Sequence, residues 1–176
     1  MQNRFDIPEI RRRYSSLYIE AIKAGRPLLS YHDVEDWNNK LNAVEKRTYH
    51  DLRALGLPLY PIFPYSDDQY LHFANPFKMV GIEIVFKNSP IALIERKTKL
   101  LAGMGWKVYT INSENTYHTI EEFFRFHRKD KSLEWEDLDG ELALRFAEKY
   151  HLQNAPCLLY YIQQRYFKRL VENSDR

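Results

Sequence analysis

One glutamate stands in the middle of an apolar run, Val80-Gly81-Ile82-Glu83-Ile84-Val85-Phe86. A carboxylate in such a strand is costly to bury unless it is paired, protonated or bound to a cation. The run before it, Tyr70-Leu71-His72-Phe73-Ala74, alternates as a strand and ends in Asn75-Pro76, a turn signal. Alternation puts Tyr70, His72 and Ala74 on one face and Leu71 and Phe73 on the other, and it makes His72 the expected neighbour of Glu83 across a hairpin. A carboxylate beside an imidazole can hold a cation, or can form a closed structural pair. A second acid, Glu45, lies three residues after Asn42, the spacing of a capping box, which gives it a complete structural explanation as well.

Other charged residues stand near this pair in sequence. Lys87 follows the glutamate strand and could reach back to it, or could be a plain surface lysine. Asp67 and Asp68 precede the hairpin and could supply a further acid to the site, but turn chemistry already accounts for them. Glu95 and Lys99 are one helical turn apart, the spacing of a surface ion pair, and Glu95 could join the site only if it faces it. Arg11, Arg12 and Arg13 form a basic run that reads as a solvated face, with phosphate contact as the minor alternative.

The elements that must position these residues can be read in order. Residues 8–24 form an expected helix, with Pro8 in its first turn and Gly25 at its end. A short helix is expected over Val34 to Leu41, capped by Ser30 or Asp33. The next helix starts at the Asn42 cap and runs to Leu55, with Gly56 as its stop. Leu57 to Tyr65 holds three prolines, which exclude a central strand and leave an edge strand or one that begins late. The hairpin of Tyr70 to Phe86 follows. Lys87 to Pro90 closes it and caps a helix from Ile91 to Met104, and Trp106 to Ile111 is a strand. A strand, a helix and a strand in that order imply a parallel pair with a right-handed crossover. Further helices are expected over residues 119–127, 141–151 and 156–172, with an acidic patch at Glu134, Glu136, Asp137, Asp139 and Glu141.

Composition narrows the classes. A chain of 176 residues is a single domain by default, with room for a core. The net charge of +2 announces no global affinity for nucleic acid, so any basic surface must be local. Cys157 is the only cysteine, which excludes an intrachain disulfide and a multi-thiolate zinc site. No run has the length of a membrane span and the Met1 end lacks an apolar signal core, so a cytoplasmic protein with no membrane partner is expected.

Three stretches resemble a known superfamily when taken together. AVEKRTYHDLRALGLPLYP, YLHFANPFKMVGIEI and IERKTKLLAGMGWKVYTI occur in that order between Ala43 and Ile111. They resemble the restriction-endonuclease-like, PD-(D/E)XK superfamily, and within it the small branch related to very-short-patch-repair endonucleases. The resemblance implies an α/β fold with an α-β-β-β-α-β core over residues 43–111. That core is a small mixed sheet flanked by helices, with helical extensions over residues 1–40 and 117–176. It also implies a Mg²⁺ or Mn²⁺ site in active members, built from an Asp on the first hairpin strand and a Glu on the second, with a lysine two places beyond. Hard cations want such carboxylates, and the cation polarises the phosphoryl group and activates water.

This sequence keeps part of that set. Glu83 matches the glutamate and Glu45 matches a helix glutamate, but the Asp position holds His72 and the lysine position holds Val85. A neutral nitrogen ligand weakens a Mg²⁺ site, and valine supplies neither ligand nor base. The expected reading is a nuclease-fold protein with a degenerate site that binds nucleic acid, in first place DNA, without efficient cleavage. One alternative is a divergent metal-dependent endonuclease using Glu83, His72 and Lys87, with Glu83, Glu45 and His72 as its metal ligands. A second is a protein-interaction or homo-oligomerisation domain. A basic groove of Arg96, Lys97, Lys99 and Lys107 would favour nucleic acid if those side chains converge beside Glu83.

Overall fold

A computed structural model describes residues 4–25, 34–54, 57 and 59–114. Four helices and four strands follow one another in this region: α1 (Ile7–Ala24), α2 (Trp37–Lys40), α3 (Ala43–Ala54), β1 (Tyr60–Pro64), β2 (Tyr70–Asn75), β3 (Val80–Val85), α4 (Ile91–Gly103) and β4 (Lys107–Asn112). The strands form one mixed sheet in the order β1-β2-β3-β4. The β1–β2 and β2–β3 pairs are antiparallel. The β3–β4 pair is parallel, from Val80↔Lys107 to Val85↔Asn112, as the strand-helix-strand order requires.

The local chemistry accounts for the boundaries. Asp6 caps α1 through the Glu9 amide, and Gly25 ends it at φ 67°, a left-handed position that suits glycine. The Asn42 side chain accepts from the Glu45 amide at 2.9 Å, and Glu45 Oε1 accepts from the Asn42 amide at 2.9 Å, which completes the capping box of α3. The short second helix is only four residues long, and it begins after Asp36 rather than after Ser30 or Asp33, which lie outside the described residues. The proline-rich β1 takes the sheet edge, where missing amides cost least. Asn75 Oδ1 accepts from the amides of Phe77 and Lys78 and so closes the β2–β3 turn. At α4, Pro90 is the N-cap with no side-chain hydrogen bond, and Ser89 Oγ instead accepts from the Phe86 amide.

Two apolar layers cover the sheet. The main core gathers Ile10 and Tyr14 of α1, Leu52 of α3, and Ile62, Phe73, Ile82 and Ile84 of the strands. A smaller cluster joins Leu71 and Ala74 to Leu101 of α4. Regular alternation would place Leu71 and Ala74 on opposite faces, so the pleat of β2 slips between them. The slip sits at His72. The β1–β2 register passes from Pro61↔Phe73 to Phe63↔Leu71, which sets Ile62 across from His72. Ile62 is held at φ 45°, a strained position for a β-branched residue.

The helices expected over 119–127, 141–151 and 156–172, the acidic patch at 134–141 and Cys157 all lie outside the described residues. No helix among the described residues is long and apolar enough to cross a membrane.

Candidate functional site

Glu83 and His72 meet as the hairpin geometry predicts. The β2–β3 pairing runs from Asn75↔Val80 to Phe73↔Ile82. Beyond it, the His72 side chain takes over from the backbone, and Nδ1 accepts from the Ile84 amide at 3.0 Å. The same Nδ1 lies 3.2 Å from Glu83 Oε2. Nδ1 can serve these neighbours only one at a time. It accepts from Ile84 in the neutral ring, or it donates to Glu83 when it carries a proton. On the other side of the ring, Nε2 lies 3.7 Å from Glu45 Oε2. The imidazole thus stands between two acids contributed by different elements, α3 and β3.

Each acid has a cation of its own. Arg4 grips both oxygens of Glu45, Nη1 to Oε1 at 2.8 Å and Nη2 to Oε2 at 3.1 Å, and Glu45 is fully buried beneath it. This is the paired, two-pronged geometry that guanidinium groups favour. Glu83, 6% exposed, receives Lys97 Nζ at 2.9 Å from α4. The same ammonium donates to the Tyr70 carbonyl at 2.5 Å and lies 5.7 Å from the ring centroids of both Tyr65 and Tyr70. Burial pushes the Glu83 carboxyl up, but His72 and Lys97 outweigh it and hold the group below the usual carboxylate range.

Above these residues opens a groove of about 1040 Å³. His72 and Glu83 line it together with Arg4, Arg96 and Lys97, the rings of Tyr65, Tyr70 and Phe86, and the α4 side chains Leu93, Leu100 and Met104.

No family model, curated protein or solved structure matches the chain.

Glu45, His72 and Glu83 are brought together, but they do not fit a divalent cation. Both Glu45 oxygens are taken by Arg4, and Oε1 also by the Asn42 amide. Glu83 Oε2 is taken by Lys97, and the two carboxylates address different nitrogens of one ring rather than a common point. Among the described residues, no group of three or more His, Cys, Asp or Glu is placed to hold a metal ion. Asp67 pairs with Arg11 on the outside, Asp68 accepts from Ser66 within the turn, and neither lines the groove that holds Glu83.

Lys87 is exposed beyond β3 and does not line the groove. The lysine at Glu83 is Lys97, which was expected only as a surface cation for nucleic acid. One helical spacing signal could have found it. Lys97 stands three residues after Ile94 and four before Leu101, the stripe that α4 turns toward the sheet. The four basic residues do not converge. Arg96 and Lys97 line the groove, whereas Lys99 is exposed outside it and Lys107 lies over the Tyr109 ring on β4. The arginine run of α1 is likewise engaged. Arg12 and Arg13 hold Glu9, whose carboxyl is lowered to about 2 by the Arg12 hydrogen bonds foremost.

Proposed function

We propose that the chain is a restriction-endonuclease-like protein whose groove binds nucleic acid and whose acid site is closed to metal-dependent cleavage. The order α-β-β-β-α-β from Ala43 to Asn112, with its parallel last pair, supports this ancestry. The observation that carries the functional reading is that each acid of the site holds an internal cation, Arg4 on Glu45 and Lys97 on Glu83. A catalytic Mg²⁺ would have to displace both. What remains available to a partner is the outer side of Arg4, whose side chain is 45% exposed, the exposed Arg96, and the aromatic walls.

The test uses single- and double-stranded DNA and RNA with Mg²⁺, Mn²⁺ or EDTA, and Glu83→Gln in parallel. The expected outcome is binding that needs no metal, weakens with salt and leaves the strands intact. Metal-dependent cleavage that disappears in Glu83→Gln overturns the proposal, as does the absence of binding to every substrate.

A further inference from the structure

The groove's walls are less polar than a duplex-binding surface requires. On α4, Leu93, Leu100 and Met104 are 56%, 59% and 55% exposed and fall seven and four residues apart. With Lys97 between them, this spacing sets them on one stripe of the helix. All three line the groove, and Tyr65, Tyr70 and Phe86 stand half-buried around it. Among the described residues the lining holds the cations Arg4, Arg96 and Lys97 and the carboxylate Glu83, and Lys97 is paired with that carboxylate.

A duplex presents phosphates outward and hides the faces of its bases in the stack. It would leave the apolar stripe in water and find few cations to meet it. An unpaired strand exposes apolar π faces along with its phosphates, and rings and aliphatic side chains cover such faces whatever the base. Resting on the reading of the groove as a nucleic-acid site, we infer that its ligand is single-stranded nucleic acid, with bases lying against Phe86 and the Leu93–Leu100–Met104 stripe and phosphates near Arg4 and Arg96. Lys97 is committed to Glu83 and the Tyr70 carbonyl, and it sets the depth to which a base can descend.

The charge count limits the electrostatic share. Two phosphate contacts, at Arg4 and Arg96, at about 0.7 each predict a slope of log K against log salt no steeper than about −1.4 for a single strand. Binding should therefore persist at salt concentrations that strip a purely electrostatic complex.

The experiment measures fluorescence anisotropy with a thymidine oligonucleotide of about 20 nucleotides, the same strand annealed to its complement, and an abasic strand of equal length. The single strand should bind at least about tenfold tighter than the duplex or the abasic strand. Phe86→Leu removes a ring while keeping apolar volume, and Leu100→Ser alters an exposed position that the fold does not need. Each should weaken single-strand binding about fivefold or more. Equal or tighter binding of the duplex overturns the inference and leaves the proposed function standing. Equal binding of the abasic strand, a slope well beyond about −1.4, or variants that bind like the parent also overturn it. Failure of all three ligands, and of the matching RNA strand and duplex, to bind overturns the proposed function along with it.

Discussion

Lys97→Met is the sharpest probe of the closed site. Methionine keeps most of the aliphatic stem and removes the ammonium that lies 2.9 Å from Glu83 Oε2 and 2.5 Å from the Tyr70 carbonyl. Glu83 would be left 6% exposed with His72 as its remaining partner. Removing one member of a buried ion pair costs about 3–5 kcal/mol. Lys97 is 16% exposed and the groove admits water, so the loss should fall at the lower end, about 3 kcal/mol at pH 7.

The loss should depend on pH. In the native protein the Glu83 carboxyl is held below its usual value, so its contribution is present above the unfolded carboxylate value of about 4.3 and is lost as pH falls through the folded value. Without Lys97 the folded value rises. The gap between the two proteins is then full above both folded values and closes below both, leaving about 1 kcal/mol for the lost bond to the Tyr70 carbonyl. Urea unfolding followed by tryptophan fluorescence, with Trp37 buried in the core, measures the gap across pH. Adding Glu83→Met to the variant removes the stranded acid and should recover most of the stability, which a double-mutant cycle reads directly. A variant as stable as the parent at pH 7, or a gap that does not change with pH, refutes this account of the pair.

Three further outcomes follow from the same geometry. Arg4→Ala strips both contacts from the fully buried Glu45 and should cost about 2 kcal/mol, seen as a lower urea midpoint with unchanged slope. Asn42→Ala removes the side chain that accepts from the Glu45 amide, a loss of about 1 kcal/mol by the same measurement. Gly81→Ala would bring a methyl group to 2.6 Å from Leu71 Cδ1, and Leu71 is fully buried, so a thermal melt should show destabilisation of about 1–3 kcal/mol.

Much of the frame was legible because its signals are local. The Asn42–Glu45 capping box, the Gly25 stop, the prolines that send β1 to the edge and the Asn75-Pro76 turn each act within a few residues, so short stretches of sequence determine them. The meeting of His72 with Glu83 was also legible, since a tight hairpin fixes its own register. The strict face assignment of β2 was not. Alternation assumes an unbroken pleat, and the slip at His72 goes with a strained Ile62 on a different strand.

The sequence by itself determined the order of elements and the presence of an acid that burial must answer. Only the tertiary structure decided what answers it. Arg4 reaches Glu45 across 41 residues, and Lys97 reaches Glu83 across 14 residues from the helix of a crossover. No local pattern encodes such pairings, because they depend on how α1, α3 and α4 pack about one sheet. Arg96 and Lys97 were equivalent as neighbouring basic residues. The rotation of α4 against the sheet placed one beside Glu83 and left the other at the groove's exposed rim.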